Sequence, residues 1–293
     1  MIMRNTKFPV SVSALLVLFV LIGLGCDRGD DPEPTGNLIF RIETDDSQAR
    51  VNSFGQPSTL PSNHAAQSPR FNAISAHLVE LTPNALTLPG NGEIAYQGAE
   101  TTAGGDNAVD FDQAISVAPG ENFISIPLSE IEEGTYRYVR VSVTYQNYDI
   151  DYQALGQTFN GTIASFVGFN TFIDQYTVAQ QNVTLNENKA QGYWAFESQS
   201  QVIQGQAPAG ATTVPNPIAA TSPIPPGSCL VTGEFEAPLK IDYSEEGDVV
   251  VVLSFSTNQS FEWIDSDGNG TFDPLDGDIV VDMGLRGLVA RCE

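Results

Sequence analysis

The residues best suited to chemistry form an acidic loop near the end of the chain, DSDGNGTFDPLD, at residues 265–276. Its spacing places oxygen donors at the first, third, fifth, seventh, ninth and twelfth positions, the pattern of a calcium-binding loop. Those positions are held by Asp265, Asp267, Asn269, Thr271 through its backbone carbonyl, Asp273 directly or through water, and Asp276. Gly270 is sixth, where such a loop turns sharply. Hard carboxylate oxygens favour Ca²⁺ over zinc or copper.

The segments beside this loop are typical of strands. Residues 254–264 and 277–282 carry no amphipathic helical pattern, so the loop differs from an EF-hand, in which two helices flank the loop. Asp276 also replaces the bidentate Glu favoured at the twelfth position, which predicts a weaker site suited to extracellular calcium. The alternative is a hairpin in which Asp, Asn and Gly serve only as turn residues.

A second acidic spot lies at residues 147–152, NYDIDY. The alternation predicts a strand with Asp149 and Asp151 on one face and apolar residues on the other. The two carboxylates are candidate ligands for a cation or a sugar. The alternative is a solvated face above a core face.

The sequence offers little catalytic apparatus. His64, in a proline-rich loop, and His77, in an alternating strand pattern, are the only two histidines, so a Ser–His or Cys–His pair has little to draw on. Nothing in the sequence places a catalytic carboxylate opposite Asp149 and Asp151 for glycoside hydrolysis. We therefore predict that the protein is not an enzyme.

Two aromatic segments, residues 166–172 and 191–196, are candidates for a carbohydrate-binding platform, because sugars stack on flat rings. Core strands use the same residues, and the core interpretation is the alternative.

The elements that must position these residues are predicted to be strands. The chain has 26 Gly and 18 Pro residues and few helix-forming runs. The clearest strand, residues 136–145, alternates strictly and precedes a predicted bend at Gln146 and Asn147. Other predicted strands are 38–42, 74–81, 93–96, 123–128, 162–172, 177–185, 192–197, 228–235, 249–256 and 279–282. Short strands between Gly- and Pro-rich turns predict an all-β fold, an antiparallel β-sandwich with long Pro/Gly-rich loops.

Two proline-rich stretches, residues 52–69 and 205–227, predict long irregular connections. The second is a candidate boundary between subdomains. Only about three predicted strands follow it, too few for comfortable independent stability, so we predict one sandwich domain over residues 37–293.

Cys229 and Cys292 are the thiols that remain if Cys26 carries lipid. In an exported protein, two cysteines predict a disulfide, which would hold the last strand against the body of the fold. The alternative is a pair of reduced, buried cysteines.

The start of the chain is typical of a secretory signal, with Arg4 and Lys7 ahead of an apolar run too short to span a bilayer. Residues 23–26, Gly-Leu-Gly-Cys, resemble the lipobox of bacterial lipoproteins, although Gly23 stands where that family has Leu. The resemblance implies a signal peptide at residues 1–25, acylation of Cys26 and attachment to a membrane. The alternative is an ordinary secretory peptide that leaves Cys26 as a free thiol.

Residues 26–36 form an acidic, proline-containing stretch typical of a flexible tether. Acidic residues just after the lipidated cysteine resemble sorting or surface-export signals of some Gram-negative bacteria, which implies the outer membrane, with the periplasmic and surface faces both open. The alternative is retention at the inner membrane, which Asp next to the cysteine, here Asp27, signals in other bacteria. The formal net charge of −24 makes nucleic acid an implausible partner, since phosphate binding requires basic patches. It also predicts repulsion from anionic lipid surfaces.

Residues 71–149 resemble the β-sandwich core of MbnP-like periplasmic proteins, some of which bind copper. The likeness lies in residues 71–81, FNAISAHLVEL, residues 108–112, AVDFD, and residues 134–140, GTYRYVR. The Trp-x-His arrangement used for copper in that family is absent at Trp194 and Trp263. His77 is the one ligand to carry over, so the resemblance supports the fold more than copper binding.

These observations lead to one principal hypothesis and two alternatives. The principal hypothesis is a non-catalytic, lipid-anchored envelope module of binding or structural character that calcium stabilises, with an envelope protein or glycan as partner. The alternatives are an MbnP-like metal-handling protein and a carbohydrate-binding or carbohydrate-active protein.

Overall fold

The computed structural model describes residues 35–51, 56–207, 220–225, 227–244 and 247–293. Within these ranges the chain is built from strands and two short 3-10 turns, Phe111–Gln113 and Leu128–Glu130, with no α-helix. The strands are β1 Asn37–Asp45, β2 His64–Gln67, β3 Arg70–Thr82, β4 Glu93–Gln97, β5 Glu100–Thr101, β6 Ala108–Asp110, β7 Ser116–Val117, β8 Asn122–Pro127, β9 Gly134–Ala154, β10 Gln157–Phe166, β11 Asn170–Thr177, β12 Asn182–Ala190, β13 Tyr193–Ser198, β14 Gln201–Gln206, β15 Cys229–Ile241, β16 Val249–Ser256, β17 Phe261–Ile264, β18 Ile279–Asp282 and β19 Gly287–Cys292.

The strands form three sheets that pack as a sandwich, which confirms the predicted all-β class. The largest sheet has 12 strands and the path β14-β13-β10-β9-β15-β19-β16-β1-β8, with β3 joined to β9, β4 and β7. A four-stranded sheet has the order β12-β11-β6-β5, and a three-stranded sheet has the order β18-β17-β2. Strands from both sides of residues 205–227 pair within the largest sheet, as β15 does with β9.

Among the described strands, pairing is antiparallel except at three places, where β1 runs parallel to β16, β15 to β19 and β6 to β11. The sequence predicted an antiparallel sandwich and did not indicate these three parallel pairs. Alternation of apolar and polar residues reveals that a segment is a strand, but it carries no information about the direction of the neighbouring strand.

The longest strand, β9, continues through the predicted bend. Gln146 and Asn147 are buried and pair with β3, and the Asn147 side chain donates a hydrogen bond of 2.7 Å to the carbonyl of Val178. The strand pairing therefore continues through both residues, and the predicted bend is wrong.

The predicted strands at 162–172 and 177–185 are also wrong in their boundaries. The first is divided between β10 and β11, and the second spans the turn from β11 to β12. The carboxylate of Glu197 holds that turn by accepting hydrogen bonds of 2.9, 2.9 and 3.0 Å from the backbone N–H groups of Ala179, Gln180 and Gln181. This cap comes from a distant strand, so the local sequence does not reveal it.

Alternate residues of β9, β10 and β13 supply separate cores on opposite faces of the largest sheet. On one face, Tyr145 and Phe166 pack with residues of the four-stranded sheet. On the other face, Tyr148, Ile150 and Ile163 pack with residues of the three-stranded sheet. Period-two alternation explains the division, because successive side chains of a strand point to opposite faces.

A third and larger core gathers side chains from β1, β3, β8, β9, β15, β16 and β19. The buried hydrophobic residues of the described chain fall between Leu38 and Ala290, and residues 33–293 form one compact unit. Because this unit contains its own complete core, it is expected to fold without the preceding residues.

The predicted disulfide between Cys229 and Cys292 is wrong, since both thiols are free. In the parallel pairing of β15 with β19, Glu234 lies opposite Val289, so Cys229 and Cys292 lie near opposite ends of the two strands. In this register Cys229 lies level with position 284, eight residues before Cys292. Eight residue positions along a strand correspond to roughly 26 Å, well beyond the Cα separation that a disulfide spans.

Candidate functional site

The acidic loop joins β17 to β18, as the strand-like flanks predicted. The two strands pair antiparallel, with Trp263 opposite Val280 and Ile264 opposite Ile279, and β17 also pairs with β2. The N–H of Asp265 donates a 2.9 Å hydrogen bond to the carbonyl of Asn63, which fixes the start of the loop. The loop therefore leaves from the end of a three-stranded sheet.

Asp265 organises the first half of the loop. Its two carboxylate oxygens accept hydrogen bonds from the N–H groups of Gly268 at 3.0 Å and Gly270 at 2.9 Å. The φ angles of these glycines are 73° and 76°, in the left-handed region that side chains with a Cβ rarely adopt. The sharp turn predicted at Gly270 is present.

Asn269 contacts three of the other predicted ligands. Its Nδ2 donates to Asp267 Oδ2 at 2.9 Å and to Asp273 Oδ2 at 2.6 Å. Its Oδ1 accepts from the N–H of Thr271 at 2.6 Å and also from the Thr271 hydroxyl. Oxygen atoms of Asp267, Asn269 and Asp273 are thus held together by one amide, and Asp273 is buried.

Asp276, the predicted twelfth-position ligand, is exposed, while its backbone N–H donates to the carbonyl of Asp273 at 3.0 Å. Asp278, which the sequence reasoning missed, closes the loop instead. Its carboxylate accepts hydrogen bonds from the N–H groups of Ser266 at 2.9 Å and Asp273 at 2.8 Å. The only sequence signal for it is a further Asp two residues beyond the twelfth position.

The donors of the loop are oxygen atoms, which suit a hard cation such as Ca²⁺. In the described ranges, no group of three or more His, Cys, Asp or Glu side chains is arranged to hold a metal ion. The loop carboxylates are instead bonded to amide groups of the loop itself. Binding an ion would require these oxygens to exchange amide partners for the cation.

Phe272 connects the loop to the core. This residue lies between the predicted ligands Thr271 and Asp273 in the chain, and its ring is buried. The ring centroid lies 5.2 Å from that of Phe261 and 5.5 Å from that of Trp263. Its carbonyl accepts a 2.7 Å hydrogen bond from the N–H of Gln153 on β9. The loop is therefore packed on β17 and hydrogen-bonded to β9 of the largest sheet.

A cavity of about 380 Å³ adjoins this loop. One wall comes from the largest sheet, with Ile163, Trp194 and Phe196 among its residues, and the other comes from the loop and hairpin, with Phe272 and Val280. The predicted aromatic segment 191–196 thus serves two purposes, because Tyr193 and Ala195 point into the core on the other face.

A buried ionic network lies beside the loop on β17. The carboxylate of Glu262 contacts Arg50, His64 and Arg286, the last at 2.8 Å. Burial alone would raise the pKa of Glu262, but hydrogen bonds from His64 and Arg286 and the charges of both arginines lower it overall. Arg286 also contacts Asp282 at 3.1 Å.

Asp149 and Asp151 lie on the face of β9 opposite its buried Tyr148 and Ile150. Asp149 accepts a 2.6 Å hydrogen bond from the hydroxyl of Thr162. Asp151 accepts hydrogen bonds from Asn160 at 3.2 Å and Arg70 at 3.4 Å, and these contacts lower its pKa, with the Asn160 bond contributing most. The two carboxylates are therefore engaged by separate partners.

His77 is buried, and its Nε2 lies 3.0 Å from Glu100 Oε1. Its ring centroid is 5.8 Å from that of Phe169. Burial lowers the pKa of His77, and the neighbouring Glu100 offsets this only in part. The imidazole is therefore held neutral near pH 7, beside one carboxylate.

The predicted signal peptide, Cys26 and most of the tether lie outside the described residues, which begin at residue 35. Within the described part, no helix is long and apolar enough to cross a membrane. Comparisons of the chain with family models, curated proteins and solved structures find no match.

Proposed function

We propose that the protein is a non-catalytic, lipid-anchored β-sandwich of the bacterial envelope, a binding or structural module that Ca²⁺ stabilises at residues 265–276. The observation that carries the calcium proposal is the amide of Asn269, which gathers oxygens of Asp267 and Asp273 within a loop whose first half is organised by Asp265. A divalent cation replaces these amide contacts and removes the repulsion between the carboxylates.

The stabilising role follows from Phe272. This ring packs on Phe261 and Trp263 of β17, and its carbonyl accepts a hydrogen bond from Gln153 of β9, so an ion that holds the loop in one conformation also favours the contact of the loop with the largest sheet. An ion that binds only the folded form stabilises it by about 2.7 kcal/mol when its concentration is 100 times Kd.

Calorimetric titration of residues 33–293 with CaCl₂ tests the site. We expect saturable binding at one site in the unaltered protein and its loss in an Asp265→Asn/Asp267→Asn variant. An Asp149→Asn/Asp151→Asn variant, which removes the same charge from β9, is the matched control and should bind as the unaltered protein does. Calcium heats that persist in the loop variant would contradict the assignment.

The anchoring part of the proposal depends on the likeness of residues 23–26 to a lipobox. We expect the full chain, expressed in a Gram-negative host, to incorporate a labelled fatty acid and to fractionate with the outer membrane. Cys26→Ser should abolish labelling and release the protein. Equal membrane retention of this variant would show that Cys26 is not the anchor.

A further inference from the structure

Two aromatic residues of the cavity beside the acidic loop each face a glycine. Trp194 faces Gly205 on the neighbouring strand, and a Cβ on that glycine would lie 2.3 Å from indole Cζ2. Phe196 likewise faces Gly161, where a Cβ would lie 2.2 Å from the ring. Glycine at these two positions lets both rings lie close against the sheet, so the space above them stays open.

The cavity is accessible from solvent and lies in the size range of small-molecule sites. Ile203 and Val281, from opposite walls, are 58% and 45% exposed and define its opening. Its volume of about 380 Å³ falls within the roughly 300–1,000 Å³ of typical ligand pockets. Apolar walls hold water poorly, so a ligand that replaces water there gains the free energy of burial.

The polar residues of the wall restrict the charge of the ligand. Gln206, Asp278 and Asp282 lie among the lining residues. Asp278 already accepts two backbone hydrogen bonds, and Asp282 contacts Arg286. The carboxylate of Asp278, whose partners are uncharged N–H groups, disfavours an anionic ligand, and the existing partners of both carboxylates leave few groups to bind the hydroxyls of a sugar.

We infer that this cavity binds an uncharged, predominantly apolar small molecule, held between the rings of Trp194 and Phe196 and the wall formed by Phe272 and Val280. The inference rests on the proposed role as a binding module and gives the chemical class of its ligand. It does not depend on the calcium site.

The test uses residues 33–293 and two related dyes, uncharged N-phenyl-1-naphthylamine and the anionic 1-anilinonaphthalene-8-sulfonate. We expect saturable fluorescence enhancement with the uncharged dye and binding of the sulfonate at least about tenfold weaker, because of the Asp278 carboxylate and the apolar walls. Failure of the uncharged dye to bind, or tighter binding of the sulfonate, would overturn the inference. Binding of a neutral oligosaccharide without dye binding would overturn it in favour of a sugar ligand.

Two variants locate the dye. Val281→Trp and Ile203→Trp each place a large ring at the opening from a different wall, at positions exposed enough to preserve folding. Each should weaken binding of the uncharged dye at least about tenfold. Leu86→Trp, at a residue 90% exposed and outside the cavity, is the control and should leave it unchanged. Equal affinity in both cavity variants, with circular dichroism showing a native fold, would refute the site.

Repeating the titration in chelator separates this inference from the calcium proposal. We expect the uncharged dye to bind in chelator as well, because Phe272 is packed in the core by its own contacts. If the unaltered protein gives no heat on calcium titration but still binds the dye, only the calcium proposal is contradicted. Calcium binding without dye binding would defeat the cavity alone.

Discussion

At the scale of single residues, the side chains with the largest consequences are those whose partners come from distant segments. The carboxylate of Glu262 is surrounded by His64, Arg50 and Arg286, although none of these is near it in the sequence. Sequence patterns identified His64 only as a loop residue, because the pattern of a segment does not identify the charges that fold against it. Pairing of β17 with β2 brings His64 to Glu262, and the return of the chain after β18 brings Arg286 to it.

The lowered pKa of Glu262 gives a pH prediction. The folded form holds a proton on this carboxyl less readily than the unfolded form, in which the carboxyl has its ordinary pKa of 4.5. Its contribution to stability is therefore present above about pH 4.5 and is lost as the pH falls through the lower folded pKa. Unfolding free energies measured by denaturant between pH 3 and 7 should show this loss in the unaltered protein.

Glu262→Gln is the variant that isolates this contribution. It leaves the buried Arg50 and Arg286 without their shared counter-charge, and we expect a loss of about 3 kcal/mol at pH 7. The difference between variant and unaltered protein should shrink toward pH 3. A difference that stays constant with pH would contradict the electrostatic explanation.

At the scale of elements, alternation located the strands well, and tertiary contacts determined where several of them end. The strand predicted at residues 136–145 is the centre of β9, but buried pairing extends it to Ala154. The turn between β11 and β12 depends on Glu197, from β13, and no local pattern predicts it. Similarly, Asp278 rather than Asp276 closes the acidic loop, because its carboxylate reaches the N–H groups of Ser266 and Asp273.

The turn held by Glu197 yields a second prediction. Three backbone N–H groups lose a charged acceptor in Glu197→Ala, which should reduce the free energy of unfolding by about 1.5–3 kcal/mol. Glu187→Ala removes a carboxylate whose side chain is 56% exposed and pairs with Lys189, and should change stability by less than about 1 kcal/mol. Equal effects of the two variants in denaturant unfolding would show that the cap contributes little.

The strand ends occupied by the cysteines yield a third prediction. Burial raises the pKa of Cys229 and of Cys292, so both thiols favour the protonated form. We expect residues 33–293 to take up two alkyl groups when unfolded without reductant, and to melt at the same temperature with and without dithiothreitol. Mass spectrometry that finds no alkylation before reduction would contradict the register of β15 and β19.

At the scale of the whole molecule, the all-β class followed from composition and alternation, whereas the arrangement of the sheets did not. The three parallel pairings bring together strands far apart in sequence, such as β1 and β16, and no periodicity encodes that choice. The sequence did not predict the cavity between sheets either, since it identified Trp194 and Phe196 as aromatic residues without identifying the opposite wall. The position of the acidic loop between two strands was predictable because its residues lie within one short segment, whereas Asp278, just beyond that segment, was missed.

The central claim is that Ca²⁺ bound in this loop stabilises the whole sandwich, and thermal unfolding tests it most directly. Residues 33–293 should melt about 5–10 °C higher in calcium at 100 times Kd than in chelator, given roughly 2–4 °C per kcal/mol for a domain of this size. The Asp265→Asn/Asp267→Asn variant should melt at one temperature in both conditions, and magnesium should give a smaller shift in the unaltered protein. Identical melting temperatures of the unaltered protein in calcium and in chelator would contradict the claim.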